Sequence, residues 1–341
     1  GTDAAQGDVF GSNTVPDTPG SSGGSGSSPS LSNNYGGKGG GVIRLEVAEA
    51  LLLDGVLTAN GGNGAGGGGG GAGGSIYIKC ATIAGSGKIR ANGGAAGTTD
   101  AGGGGGGRIA VHYNAVAQAN LPWQPNISFA ANPGRYYKSI KQRPGTLYFS
   151  DAHIYPHTGV SGSGRLVNQG VTEYQLTSLA VTNGSLFAFP VGTAVTITDN
   201  LTVSGNSAIE LDNGALTVGG DARFSSGPLT GYSFESVLNL HTGAILSVGG
   251  TLTAGSGVLQ VRGEPGDSGL TLSVGNNLQL ESGASFYIYC GATNALVTPL
   301  TTYLSVRGDM SVASGAWFYP VSDGVSGGSA LMQLRNLTLE A

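Results

Sequence analysis

Three apolar stretches recur at one fixed interval in the first third of the chain, and each follows a run of glycines. VIRLEV, SIYIKC and RIAVHY begin at residues 42, 75 and 108, a period of 33. Within each stretch apolar and polar residues alternate. Ile43, Leu45 and Val47 share one face, as do Ile76, Ile78 and Cys80, and Ile109, Val111 and Tyr113. That alternation is the signature of a strand with one buried side. A second element repeats inside the unit, GVLTANGG at 55–62 and GKIRANGG at 87–94. GTLYFS at 145–150 reads as the first element again, after an insertion at 114–144. A unit of about 20–50 residues repeated in register means a solenoid or an array, in which each unit buries its apolar face by stacking on the next.

This register decides how the glycine runs are read. Gly61–Gly74 and Ala101–Arg108 hold much of the glycine in a chain with 65 glycines among 341 residues. A random linker would not keep strands at fixed places. A phosphate cradle needs a helix after its glycines, and here a strand follows; neither run continues into Gly-Lys-Ser/Thr. The runs are therefore expected to belong to the architecture. Glycine at corners and loops reaches positive φ without steric cost and allows close backbone packing, and runs of six are expected to form either extended, polyglycine-II-like segments with three residues per turn or ordered irregular loops.

From about Leu179 a different phrase takes over. AVTITDNLTV, ALTVGGDARF, ILSVGGTLTA, TLSVGNNLQL, YLSVRGDMSV and LMQLRNLTLE begin at residues 194, 215, 245, 271, 303 and 331. Each reads as strand, Gly/Asn/Asp corner, strand. Asn and Asp at the corner tolerate left-handed backbone and are expected to bond their own chain. No amphipathic helix is evident. The expected fold is all-β: a right-handed parallel β-helix, glycine-rich over 1–150 and built of shorter LTVGG-type repeats over 151–341, as one continuous solenoid.

The order GGKGGGVIRLEV, LTANGGNGAGGGGGGAGGSIYI, GGGGGGRIAV, GTLYF resembles glycine-rich β-helix segments of very large secreted or surface proteins. The LTVGG phrases resemble the repeats of bacterial adhesins and autotransporter-type passengers. The resemblance covers roughly residues 8–150 for the glycine-rich style. It implies an extracellular or cell-surface location and a structural or adhesive role; the last strand, LRNLTLEA, has no polar cap, and such an open edge invites pairing, so end-to-end self-association or neighbouring domains of a longer chain are the expected partners. It transfers no catalytic residue.

Composition narrows the function classes. Lys and Arg number only 15 and the net charge is −5, which argues against a nucleic-acid binder. No apolar run is long enough to span a membrane. No signal peptide opens the sequence. The two cysteines, Cys80 and Cys290, each end a strand-like run and are expected to be buried thiols rather than a disulfide. Asn126, Asn183, Asn200 and Asn336 lie in glycosylation sequons, which matter only if the host glycosylates.

The polar candidates are few. Glu46, Lys79 and His112 are spaced by the repeat period and are expected to form a surface ladder; a lyase would use such groups as base and charge neutraliser. Arg135, Tyr136, Tyr137, Lys138, Lys141 and Arg143 gather basic and aromatic side chains in one stretch, as recognition of an acidic polysaccharide would require. Tyr287 and Tyr289 share the outer face of SFYIYC and are expected to be exposed as sugar platforms, whereas Trp317 is expected in the core. His153 and His157 are four apart in HIYPH, but no acidic or cysteine cluster completes a metal set. The Arg-Gly-Asp at 307–309 falls inside a repeat phrase. No cofactor and no metal are expected. The leading function is a structural or adhesive β-helix protein, with a carbohydrate-binding module or a polysaccharide lyase or hydrolase as alternatives.

Overall fold

In the computed structural model, residues 11–26, 34–98, 101–122, 125–134, 144–151, 164–167, 172–181, 186–205, 207–225, 238–241, 244–261, 271–290, 300–322 and 328–340 are described. They are nearly all β, and every strand pairing among them is parallel. The chain runs through three strands and then returns to the first sheet one strand further on. Val42–Glu46, Ala50–Leu52 and Val56–Thr58 are followed by Ser75–Lys79, Thr82–Ala84 and Lys88–Arg90, which pair with them in the same order. The 33-residue period is the register itself: Val42 pairs with Ser75, and Ser75 with Arg108.

The later phrases obey the same cycle. Their first strands form one seven-stranded sheet from Glu173–Leu176 to Ser329–Gln333, and their second strands form another from Leu179–Val181 to Leu337–Leu339. Ile197, Val218, Val248, Val274 and Val306 stand in one unbroken Cα register. All five are buried. Because side chains alternate faces, this register puts the whole apolar set on one side and keeps it there. The resulting core is a single cluster that contains both Ile76 from the glycine-rich part and Leu304 from the later repeats. This cyclic, parallel arrangement is compatible with a β-solenoid.

The glycine runs form a second layer with its own rule. Each run folds back on itself: Gly71 and Gly74 donate to the carbonyls of Gly62 and Ala59, and Gly104 and Gly107 to those of Gly94 and Ala91. Within the segment 69–74 the bonding direction rotates with a period of three. Gly69 and Ala72 donate to Gly24 and Ser21, Gly70 and Gly73 to Gly102 and Gly105, and Gly71 and Gly74 to the third neighbour just named. A backbone bonded to three neighbours in turn leaves room for a side chain at few positions, such as Ala72 and Gly105. A Cβ on Gly94 would overlap the Gly62 carbonyl oxygen, and one on Gly70 the Gly94 carbonyl. Positive φ is not the reason for these glycines: in the described parts of the runs only Gly66 has it. Of the two uses expected of glycine, positive φ and close backbone packing, it is the packing that these runs depend on.

The ANGG phrase has a specific task in this layer. Asn60 Oδ1 accepts the Asn92 N–H at 2.8 Å, while the Gly61 N–H donates to the Asn92 carbonyl at 2.8 Å. Asn63 and Gly64 hold Ala95 in the same way, and Asn92 and Gly93 hold Asn132. Each Asn-Gly pair thus clasps both backbone groups of one residue in the next repeat. The third copy, ANPG at 131–134, lies inside the stretch read from sequence as an insertion. That stretch also holds the strand Ser128–Ala130, which pairs with Lys88–Arg90.

A short helix, Ala115–Ala119, capped by the Asn114 side chain, occupies the place of a strand beside Thr82–Ala84. It was not legible from periodicity because it spans barely more than one turn. Its buried Gln118 amide bonds both the N–H and the C=O of Ile83, at 2.8 and 2.9 Å, as a neighbouring strand would.

The corner of the later phrase also differs from expectation. Asn200 Oδ1 accepts the Asp221 N–H, Asp221 Oδ1 accepts the Thr251 N–H, and Asn277 Oδ1 accepts the Asp309 N–H. These side chains bond the next repeat rather than their own chain, and none is left-handed. Left-handed backbone sits at the other corners instead, at Gly192 and Asn213 on one and at Gly205, Gly257, Gly283 and Gly315 on another.

Two substitutions separate these roles. Gly94→Ala is expected to cost about 3 kcal/mol or more, because a backbone carbonyl must move. Gly105→Ala places its Cβ in open space and is expected to be neutral or stabilising by up to about 1 kcal/mol. Denaturant unfolding of the two variants checks the contrast. Asn92→Ala leaves the Asn132 N–H without its acceptor and is expected to cost about 1–3 kcal/mol in the same measurement.

Candidate functional site

The outer side of the first sheet carries the most elaborate polar arrangement. Residues 11–18 cross it as a strap. The Ser75 hydroxyl donates to the Thr18 carbonyl at 2.6 Å, and the Arg108 guanidinium donates to the Thr18 hydroxyl at 2.9 Å. His112 Nε2 lies 2.6 Å from the Thr14 carbonyl and must donate to it. Its ring packs between Tyr77 and Tyr148, with centroids 5.2 and 4.9 Å away, and Arg44 covers Tyr77 at 4.4 Å. Burial lowers the Arg108 pKa below the usual guanidinium value, and Asp17 opposes that shift.

Glu46, Lys79 and His112 do fall in one register. Two of the three are nevertheless engaged within the fold. Glu46 pairs with Arg44 at 2.6 Å, and His112 is tied to the strap. Arg165 reaches across the buried Ala188 to Glu210 at 2.9 Å. Arg223 reaches across an intervening strand to make a bidentate pair with Glu281, at 2.7 and 2.6 Å. Gly255 leaves the space for that pair: a Cβ there would sit 3.3 Å from both partners. The Arg-Gly-Asp triplet is held likewise, its Asp309 carboxylate gripped by Arg335 and the Asn336 amide.

An aromatic row stands on another face. In Ala284–Tyr289, Phe286 and Ile288 are buried while Tyr287 and Tyr289 are half-buried on the outside. Trp317–Val321 pairs beside it and sets Tyr319 against Tyr287. Those rings stack at 4.5 Å and 14°, and the Trp317 ring lies parallel to Tyr319 within 9° at 6.0 Å. Trp317 is 59 % exposed, contrary to the burial expected from sequence. The reason is register: Trp317 pairs with Ser285 and Phe318 with Phe286, so Phe318 takes the inward side. Tyr319 and Trp317 join the sequence candidates through this pairing, which single-strand alternation did not convey.

Arg135, Tyr136, Tyr137, Lys138, Lys141 and Arg143 lie outside the described residues, as do His153, His157 and Asn183. Asn126, Asn200 and Asn336 are exposed. Among the described residues no group of three His, Cys, Asp or Glu side chains is placed to hold a metal ion. No described helix is long and apolar enough to cross a membrane. No protein family, no curated protein and no solved structure matches the chain.

Cys80 and Cys290 are buried free thiols. Burial pushes the Cys80 pKa up to about 11 and raises that of Cys290, which a hydrogen bond with Thr302 partly offsets. Because the thiolate is the reactive form, both are expected to resist alkylation of the folded protein at neutral pH and to react fully once it is unfolded. Mass spectrometry after iodoacetamide treatment, with and without denaturant, checks this.

Proposed function

We propose that the chain is a structural or adhesive rod of an extracellular surface or matrix. Its architecture is a right-handed parallel β-helix, with the glycine runs forming a polyglycine-II layer on one side. The observation that carries this reading is the unbroken register of the valine and isoleucine ladder from Ile197 to Val306. Stability built repeat upon repeat gives a stiff, extensible body. The charged groups support the same reading, since Arg165–Glu210 and Arg223–Glu281 each tie one repeat to another. Head-to-tail contact between copies extends such a body into filaments where the contact does not close.

A second reading, carbohydrate binding, is favoured by the parallel rings of Tyr287, Tyr319 and Trp317. Flat aromatic faces suit the apolar face of a sugar ring, and one exposed tryptophan beside half-buried tyrosines supplies both contact area and polar tips.

Negative-stain electron microscopy of the purified protein over a range of concentrations distinguishes the two. Fibres that lengthen with concentration are the outcome expected of the structural reading. Discrete short rods at every concentration would remove self-assembly. Retention on immobilised polysaccharide that is lost in Trp317→Ala would then favour the carbohydrate reading.

A further inference from the structure

The chain contains five Asn-Gly pairs, beginning at Asn60, Asn63, Asn92, Asn183 and Asn213. This dipeptide is chemically self-reactive. The glycine N attacks the asparagine side-chain carbonyl carbon, a new C–N bond closes a five-membered succinimide, and the side-chain nitrogen leaves as ammonia with the displaced proton. Water then opens the ring at either carbonyl and yields aspartate or isoaspartate. Glycine favours the attack because it has no Cβ to hinder the approach.

The structure holds three of these pairs so that neither reacting group is available. The N–H groups of Gly61, Gly64 and Gly93 donate to Asn92, Ala95 and Asn132 at 2.8, 2.9 and 2.8 Å. The side-chain oxygens of Asn60, Asn63 and Asn92 accept the N–H groups of the same three residues, each at 2.8 Å. For ring closure the glycine N must turn towards its own side-chain carbon. That movement breaks both halves of the clasp, and with it the attachment to the next repeat.

Asn213 is placed differently. It is exposed and is the one non-glycine residue with positive φ among those described, at 46°. It forms the corner between Ala208–Asp212 and Ala215–Val218, where Gly192 stands one repeat earlier at φ 77°. Among the described residues no acceptor takes the Gly214 N–H and no donor reaches the Asn213 side chain. Ring closure there breaks no hydrogen bond of either reacting group; the bond to the next repeat at this corner is made by the Gly214 carbonyl, which accepts the Ile245 N–H at 3.0 Å.

We infer that Asn213 is a site of spontaneous, water-dependent conversion to aspartate and isoaspartate, and that Asn60, Asn63 and Asn92 are protected from it by the clasp. The isoaspartate product carries an extra backbone methylene at the corner that sets Ala215–Val218 against Ala194–Ile197. The modification therefore falls on a joint of the repeat rather than on a loose end.

The test is ageing of the intact protein at mildly alkaline pH, followed by peptide mapping that resolves Asn, Asp and isoaspartate. Asn213 is expected to convert first, with Asn60, Asn63 and Asn92 at least about tenfold slower; that factor corresponds to about 1.4 kcal/mol of local opening free energy. The same protein in denaturant is expected to convert at all four at similar rates. Asn213→Gly, which suits the positive φ, is expected to remove the conversion at that position in folded protein while shifting the thermal midpoint by no more than roughly 2–4 °C. Conversion of any clasped pair as fast as Asn213 in folded protein overturns the inference. So does an intact Asn213 after a time in which the denatured control has reacted completely.

Discussion

Everything in this protein depends on where one repeat places its backbone donors relative to the next. A buried N–H or C=O without a partner costs about as much as a lost hydrogen bond, and a chain made of stacked repeats has such groups at every level. In the strands the parallel ladder absorbs them. At the corners, side-chain oxygens of Asn200, Asp221 and Asn277 each take one N–H of the following repeat. Beside Ile83 the Gln118 amide replaces a whole strand. In the glycine layer the backbone bonds in three directions, and glycine is the residue that permits it. These are four chemical solutions to one accounting problem.

The strand cycle was readable because apolar alternation and a fixed interval are both one-dimensional signals. The pairing of Val42 with Ser75 and of Ser75 with Arg108 is the interval seen in space. What single-sequence reading missed are relations between chains of contacts. Nothing in ANGG says that its asparagine reaches across to another repeat and not to its own turn. The length of a six-glycine run shows that side chains are unwanted, while the reason, a backbone carbonyl oxygen where a Cβ on Gly70, Gly71, Gly104, Gly106 or Gly107 would be, appears only with all the segments in place. Trp317 illustrates the same limit. Its exposure follows from the pairing of Phe318 with Phe286, a fact about two strands and not about one.

The same logic explains why the polar residues make a poor case for catalysis at the positions where spacing pointed to it. Catalytic groups need freedom to exchange protons with a substrate. Glu46 and His112 are instead engaged with Arg44 and the Thr14 carbonyl; Glu210 and Glu281, to which no spacing pointed, are held likewise by Arg165 and Arg223. Exposed ion pairs of this kind contribute only about 0.2–1 kcal/mol each. Their value here lies in geometry: Arg165 and Arg223 span more than one strand spacing and so tie together repeats that are not immediate neighbours.

Such an assembly trades chemical reactivity for persistence. The thiols are buried in their protonated form, three Asn-Gly pairs are fastened at both reacting atoms, and the strap is locked over His112. A linear stack has few contacts between distant levels, so damage at one level is not compensated from elsewhere. Protection must then be local and repeated, which is what an Asn-Gly clasp at successive levels supplies. The corner at Asn213 is the exception, since among the described residues nothing engages its side-chain amide or the next N–H.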